Sequence, residues 1–151
     1  MKLTIRATLA VLLLVACSKD LSVEQQVIAT LRAMEVAAEE GEHFEFIGHV
    51  ADSFTGQQGS MDRSEFHRFM IFQINQHRRL RAQFFPIYVQ EAGKDLASAY
   101  FRILVTGGGG LLPDSGQLFE VETEWLREGS DWMLNKAGWE AVQLPNPQLN
   151  R

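Results

Sequence analysis

The chain has 151 residues, a single cysteine, and a formal net charge of −5 from 14 basic and 19 acidic side chains. That length suits one domain with its own core, and the acidic balance argues against binding to nucleic acid or to an anionic membrane surface, both of which rest on basic clusters. One cysteine excludes an intramolecular disulfide framework, so the fold has to stand on packing.

Lys2 and Arg6 precede an apolar run from Ala7 to Ala16, and Cys17 follows Leu14, Val15 and Ala16 directly. A basic start, a short apolar core and a small residue before the cut read as a secretory signal. The run ends at Ser18-Lys19-Asp20, short of the ~20 apolar residues that a membrane span requires. Leu-Val-Ala-Cys resembles the lipobox of bacterial lipoprotein precursors. The resemblance implies cleavage between Ala16 and Cys17, a diacylglycerol thioether on the Cys17 sulfur and acylation of the new amino terminus, which accounts for the odd thiol. The expected organisation is a signal peptide at 1–16, a lipidated cysteine and short tether at 17–21, a folded domain at 22–143 and a tail at 144–151.

Loss of Lys2 and Arg6 with the signal lowers the basic count from 14 to 12 against 19 acids, a net charge of −7. Membrane residence of so acidic a body rests on acyl chains, at ~0.8 kcal/mol per buried methylene and with two or more chains for firm anchoring. The five residues from Ser18 to Ser22 reach ~17 Å when extended, which holds the domain close to the bilayer. Ser18 after the cysteine, in place of aspartate, resembles an outer-membrane-directed pattern. The expected location is therefore the periplasm-facing cell envelope, outer membrane ahead of inner.

The first helix opens at Ser22, with Gln25 three residues on as a capping box, carries Val23, Val27, Ile28, Leu31, Met34 and Ala38 at helical spacing, and stops at Gly41. A short second helix is expected from Phe44, Ile47, Val50 or Ala51, and Phe54, followed by a loop from Thr55 to Ser60. Asp62 and Glu65 form a second capping pair, opening a third helix through Phe66, Phe69, Met70 and Ile74 to about His77. Four strands follow, near Leu80–Glu91, Leu96–Thr106, Gln117–Arg127 and Trp132–Ala141, with tight turns at Ala92-Gly93-Lys94-Asp95 and Glu128-Gly129-Ser130-Asp131. Ala97, Ala99, Phe101, Ile103 and Val105 share one face, as do Phe119, Val121, Thr123 and Trp125. The expected fold class is α+β: helices first, packed on a curved antiparallel meander of about four main strands.

The long first helix, the second ending in Val50-Ala51-Asp52-Ser53-Phe54, the late helix before the strands and a closing strand with Trp132, Leu134 and Trp139 resemble the nuclear transport factor 2-like superfamily over about Ser22 to Val142. This cone-shaped fold is shared with ketosteroid isomerases and polyketide cyclases. The resemblance implies a pocket at the wide end and dimerisation through the outer sheet face, but no particular activity. A ketosteroid-isomerase-like site needs a carboxylate base facing a tyrosine and a protonated acid. The only tyrosines are Tyr88 and Tyr100, and Tyr100 lies opposite in parity to Phe101, so no catalytic residue carries over.

Glu120, Glu122 and Glu124 share the outward face of the third strand and are expected to pair with Arg102 and Lys136. His43, His49, His67 and His77 lack His-Glu-x-x-His spacing and cysteine partners, so neither a metal nor a cofactor site is expected. Gly107–Gly110 and the following Leu111, Leu112, Pro113, Asp114, Ser115 and Gly116 form either a plain hairpin connection or a docking loop presenting Leu111 and Leu112. With three tryptophans and 10 phenylalanines, aromatic rows on inward faces read first as core, with Phe101 and Trp125 as candidate pocket residues. The expected function is a non-catalytic envelope lipoprotein binding a small apolar ligand or a protein partner. The alternative is a small isomerase- or cyclase-like enzyme of the same fold.

Overall fold

The structure, a computed structural model, describes residues 20–76, 79–108 and 115–143. The expected signal at 1–16, Cys17, the expected tail at 144–151 and both Leu111 and Leu112 lie outside the described residues. Helix α1 spans Val23–Glu40. At its start the Gln25 N–H donates to Ser22 Oγ at 3.2 Å and the Ser22 N–H donates to Gln25 Oε1 at 3.0 Å, satisfying two otherwise orphaned donors. It ends where Gly41 turns to φ 79° and the Glu42 N–H reaches back to Ala37 O at 2.8 Å. Val27, Leu31, Met34, Ala37 and Ala38 form its buried stripe.

The second helix is shorter than expected. Helix α2 spans only His43–Gly48, and Val50, Ala51 and Phe54 belong instead to strand β1, Val50–Gly56. That strand runs parallel to the last one, with a register shift between Val50 and Thr55. The irregularity breaks strict alternation, so that Val50, Ala51 and Phe54 are buried while Asp52 and Ser53 are exposed, which imitates helical spacing in the sequence. Arg63 clamps this junction, its Nε donating to Val50 O at 3.0 Å and its Nη2 to Ile47 O at 2.9 Å.

The expected loop from Thr55 to Ser60 holds the end of β1 and a 3-10 turn at Gln57–Gly59, and strand β2, Met61–Asp62, follows it. The Gln57 side chain accepts the Trp139 N–H and donates to Trp139 O, at 3.2 and 3.1 Å, continuing the pairing past the end of β1. Helix α3 spans Arg63–Gln76, its box closed by the Glu65 N–H to Asp62 Oδ1 and the Asp62 N–H to Glu65 Oε2, each 2.8 Å. Phe66 stacks on Phe54 of β1 with ring centres 4.7 Å apart.

The expected first long strand is two, β3 (Arg81–Phe84) and β4 (Tyr88–Glu91), both antiparallel to β5 (Leu96–Gly107). Pro86 stands between them and has no N–H to donate, so the ladder breaks there. Strands β6 (Ser115–Glu128) and β7 (Asp131–Ala141) complete a seven-stranded sheet of order β2-β1-β7-β6-β5-β3, with β4 also on β5. Helices therefore do not all precede strands, and the sheet is mixed, because β1 inserts parallel to β7.

Along β7, Trp125 of β6 pairs with Leu134 while Glu124 pairs with Lys136, leaving Asn135 as an extra residue. This bulge resets parity, so Trp132 and Leu134 before it and Ala137 and Trp139 after it all face the core. It also bends the sheet around α1 and α3. Trp125, Trp132, Phe54, Val27 and Val50 are the most deeply buried large side chains, and the Trp132 Nε1–H donates to Gln26 Oε1 at 3.1 Å, tying β7 to the N-terminal end of α1.

Candidate functional site

Toward the C-terminal half of α1 the core is not filled. The second half of α1 (Leu31, Met34, Ala38), α3 (Phe69, Met70) and the inward rows of β5 to β7 leave a cavity of about 450 Å³ between them. The size is that of a small-molecule site. Its walls are apolar except at Glu35, Gln73 and Thr123. The Thr123 hydroxyl is already engaged, donating to Ala99 O at 3.2 Å and accepting the Trp125 Nε1–H at 2.9 Å. Glu35 lies on α1 between Leu31 and Ala38, with its side chain 15% exposed and Oε2 held by Arg32 Nη1 at 2.8 Å. Arg32 in turn lies over the Phe84 ring, 4.9 Å from its centre. Gln73 faces the cavity from α3, and its amide has no hydrogen-bond partner among the described residues.

Phe101 lines this cavity, its ring 5.0 Å from Phe84. Trp125 does not: it is 0% exposed, one inward position below Thr123, and forms part of the packing beneath the cavity floor. Gly107 pairs with Ser115 just beyond the lining residues Val105 and Phe119. Glu35 and Gln73 were not singled out from sequence. A charged residue at the i+4 position after Leu31, inside a buried stripe, was the available signal for Glu35.

The outer sheet face carries a second concavity, about 840 Å³, bounded by Tyr88, Tyr100, Glu122, Glu124 and Lys136. Tyr88 and Tyr100 are cross-strand partners and both exposed. Arg102 pairs with Glu120 at 2.6 Å and Lys136 with Glu124 at 2.9 Å, exposed bridges that solvent screens and that add little to stability. Beside the cavity but not in its wall, His43 Nδ1 of α2 and His67 Nε2 of α3 lie 3.1 Å apart, with Phe44 edge-on to His67. Burial, then His43, then Arg63 lower the His67 pKa below its ordinary 6.5. Among the described residues no three His, Cys, Asp or Glu side chains gather closely enough to hold a metal ion. Nor is any described helix long and apolar enough to cross a membrane.

No family model matches the chain, and no curated protein does. Solved structures do. A proposed dehydratase of the NTF2-like family from Streptomyces avermitilis superposes with a TM-score of 0.68 at 17% identity, covering 80% of this chain and 97% of that one. An NTF2-like protein of unknown function from Pseudomonas putida KT2440 gives 0.68 at 16% identity, covering 83% and 90%. The association domain of C. elegans CaMKII gives 0.64 at 14% identity, covering 78% and 94%. The protein thus has the NTF2-like α+β fold, with few helices packed against a curved mixed sheet. Identities this low speak to the fold alone.

Proposed function

We propose that this protein is a lipid-anchored envelope protein whose cone binds a small apolar molecule without transforming it. The observation that carries the reading is the cavity of about 450 Å³, open to the surface and lined by aromatic and aliphatic side chains. An apolar hollow of this size in a domain without disulfides leaves side chains uncovered that the core would otherwise use, which a bound ligand offsets. The anchor is an inference from the lipobox-like Leu14-Val15-Ala16-Cys17. Helix α1 begins away from the cavity, which only its second half lines, and its 18 residues extend ~27 Å toward it. With the tether attached at Ser22, the cavity would lie on the side of the domain away from the anchoring bilayer.

Native mass spectrometry of the protein extracted from its own membrane tests both parts. The expected result is an acylated chain retaining a small apolar molecule. A chain without acyl mass, found equally in the membrane fraction after Cys17→Ser, would refute the anchor; an empty cavity across growth conditions would refute the ligand. Homodimerisation through the outer face belongs to the same proposal, supported by exposed Tyr88 and Tyr100 and by likeness to a domain described as an association domain.

A second reading, an isomerase-, cyclase- or dehydratase-type enzyme, draws on the likeness to a proposed dehydratase. It wins if the purified protein turns over small carbonyl or hydroxyl substrates and Glu35→Gln abolishes the rate.

A further inference from the structure

We infer that Glu35 makes the cavity selective for ligands whose head group donates a hydrogen bond, a neutral hydroxyl or a cationic amine, and excludes anionic amphiphiles such as fatty acids. This rests on the reading of the cavity as a ligand site. Of the three polar residues in the walls, Thr123 has both its donor and an acceptor position in use. Glu35 commits one oxygen to Arg32, and Oε1 has no partner among the described residues. It is thus a carboxylate acceptor on an otherwise apolar wall, and the unpartnered Gln73 amide on α3 lines the same space.

The cations nearby do not reverse this preference. Arg32 is half exposed, lies over Phe84 and already takes Glu35 Oε2, and it is not part of the cavity wall. Arg81 is likewise taken by Glu39, one turn further along α1, at 2.9 Å. A carboxylate head entering beside Glu35 would place two like charges together in an apolar, weakly screened space. A hydroxyl or ammonium head instead meets a ready acceptor, and hydrogen bonds to charged groups are the stronger kind. Lys or Arg at this position would have specified fatty acids.

The test is displacement of the neutral fluorophore N-phenyl-1-naphthylamine from the full chain held in amphipol, by 1-octanol, octylamine and octanoate, which share one alkyl tail. Background partitioning into amphipol is common to native protein and variant and cancels between them. Expected is preference for the alcohol and the amine over octanoate by about tenfold or more, the scale of one charge-assisted hydrogen bond. In Glu35→Gln that preference narrows severalfold, mainly through tighter octanoate. Equal binding of all three, or tightest binding of octanoate, overturns the head-group inference and leaves the cavity reading standing. Failure of the fluorophore and all three compounds to bind overturns the cavity reading itself. The same displacement series run on amphipol without protein supplies the blank, so the native protein's blank-corrected ranking decides the matter even if the variant does not fold.

Discussion

Thr123→Val tests whether Trp125 belongs to the packed core by removing one oxygen atom while keeping the side chain's shape. The Thr123 hydroxyl is the acceptor for the Trp125 Nε1–H at 2.9 Å, and the indole is 0% exposed, so no water replaces it. Leaving a buried donor unpaired costs about 1–3 kcal/mol. Ala99 O also loses the bond that Thr123 donates at 3.2 Å, but it sits in the sheet, where carbonyls have a ladder partner, so its share is small. For a folded body of roughly 120 residues, an unfolding entropy of about 2.1 cal/mol/K per residue converts each kcal/mol into about 4 °C, so the midpoint should fall by roughly 4–12 °C. Trp125→Phe removes the donor along with ring volume and is destabilising by itself. In the double variant no donor remains to be orphaned, so the combined loss should fall short of the sum by about 1–2 kcal/mol. Urea unfolding of the four proteins, with an unchanged denaturant slope, measures this. Additive losses, or a Thr123→Val effect below about 0.5 kcal/mol, would refute the argument that this relay holds the packing beneath the cavity.

Three further outcomes are expected. Because the folded-state pKa of His67 lies below its unfolded value of 6.5, the unfolded chain takes up the proton first as pH falls. Stability is therefore complete above that value and declines below it, and His67→Asn should flatten part of the decline in urea unfolding between pH 7 and 5. An equal slope in both proteins would contradict the lowering of the His67 pKa by burial and by the neighbouring His43. Deleting Asn135 removes the β7 bulge and forces either Trp132 and Leu134 or Ala137 and Trp139 out of the core. At ~1.5–3 kcal/mol per large apolar side chain, exposing the first pair alone costs about 3–6 kcal/mol, so loss of cooperative thermal unfolding is expected. Asp62→Ala deletes the acceptor for the Glu65 N–H and should cost about 1 kcal/mol by urea unfolding.

The local signals that the sequence carried were those in which neighbours along the chain interact with one another. Ser22 with Gln25, Asp62 with Glu65 and Gly41 marked their helix ends, because capping joins residues three or four apart. The inward rows of β5 and β6 were readable from alternation, since both strands run unbroken in the sheet centre and bury one face. From these, and from a resemblance of shape, came the fold class and the expectation of a hollow.

What depended on distant partners was not readable. Val50 to Phe54 took the spacing of a helix because the irregular pairing with β7, more than 80 residues away, decides which of them face inward. Trp139 shares the core with Leu134 only through the Asn135 bulge, which no local pattern announces. Trp125 and Phe101 are alike by strand parity, yet one is packed beneath the cavity and the other borders it. Glu35 became a site residue in the same way. Its helical position was apparent, but its value as an acceptor arises from the apolar surfaces that α3 and the sheet bring around it. Capping and alternation are short-range energies written into adjacent residues, whereas a cavity is the space left between surfaces that meet only when the whole chain has closed.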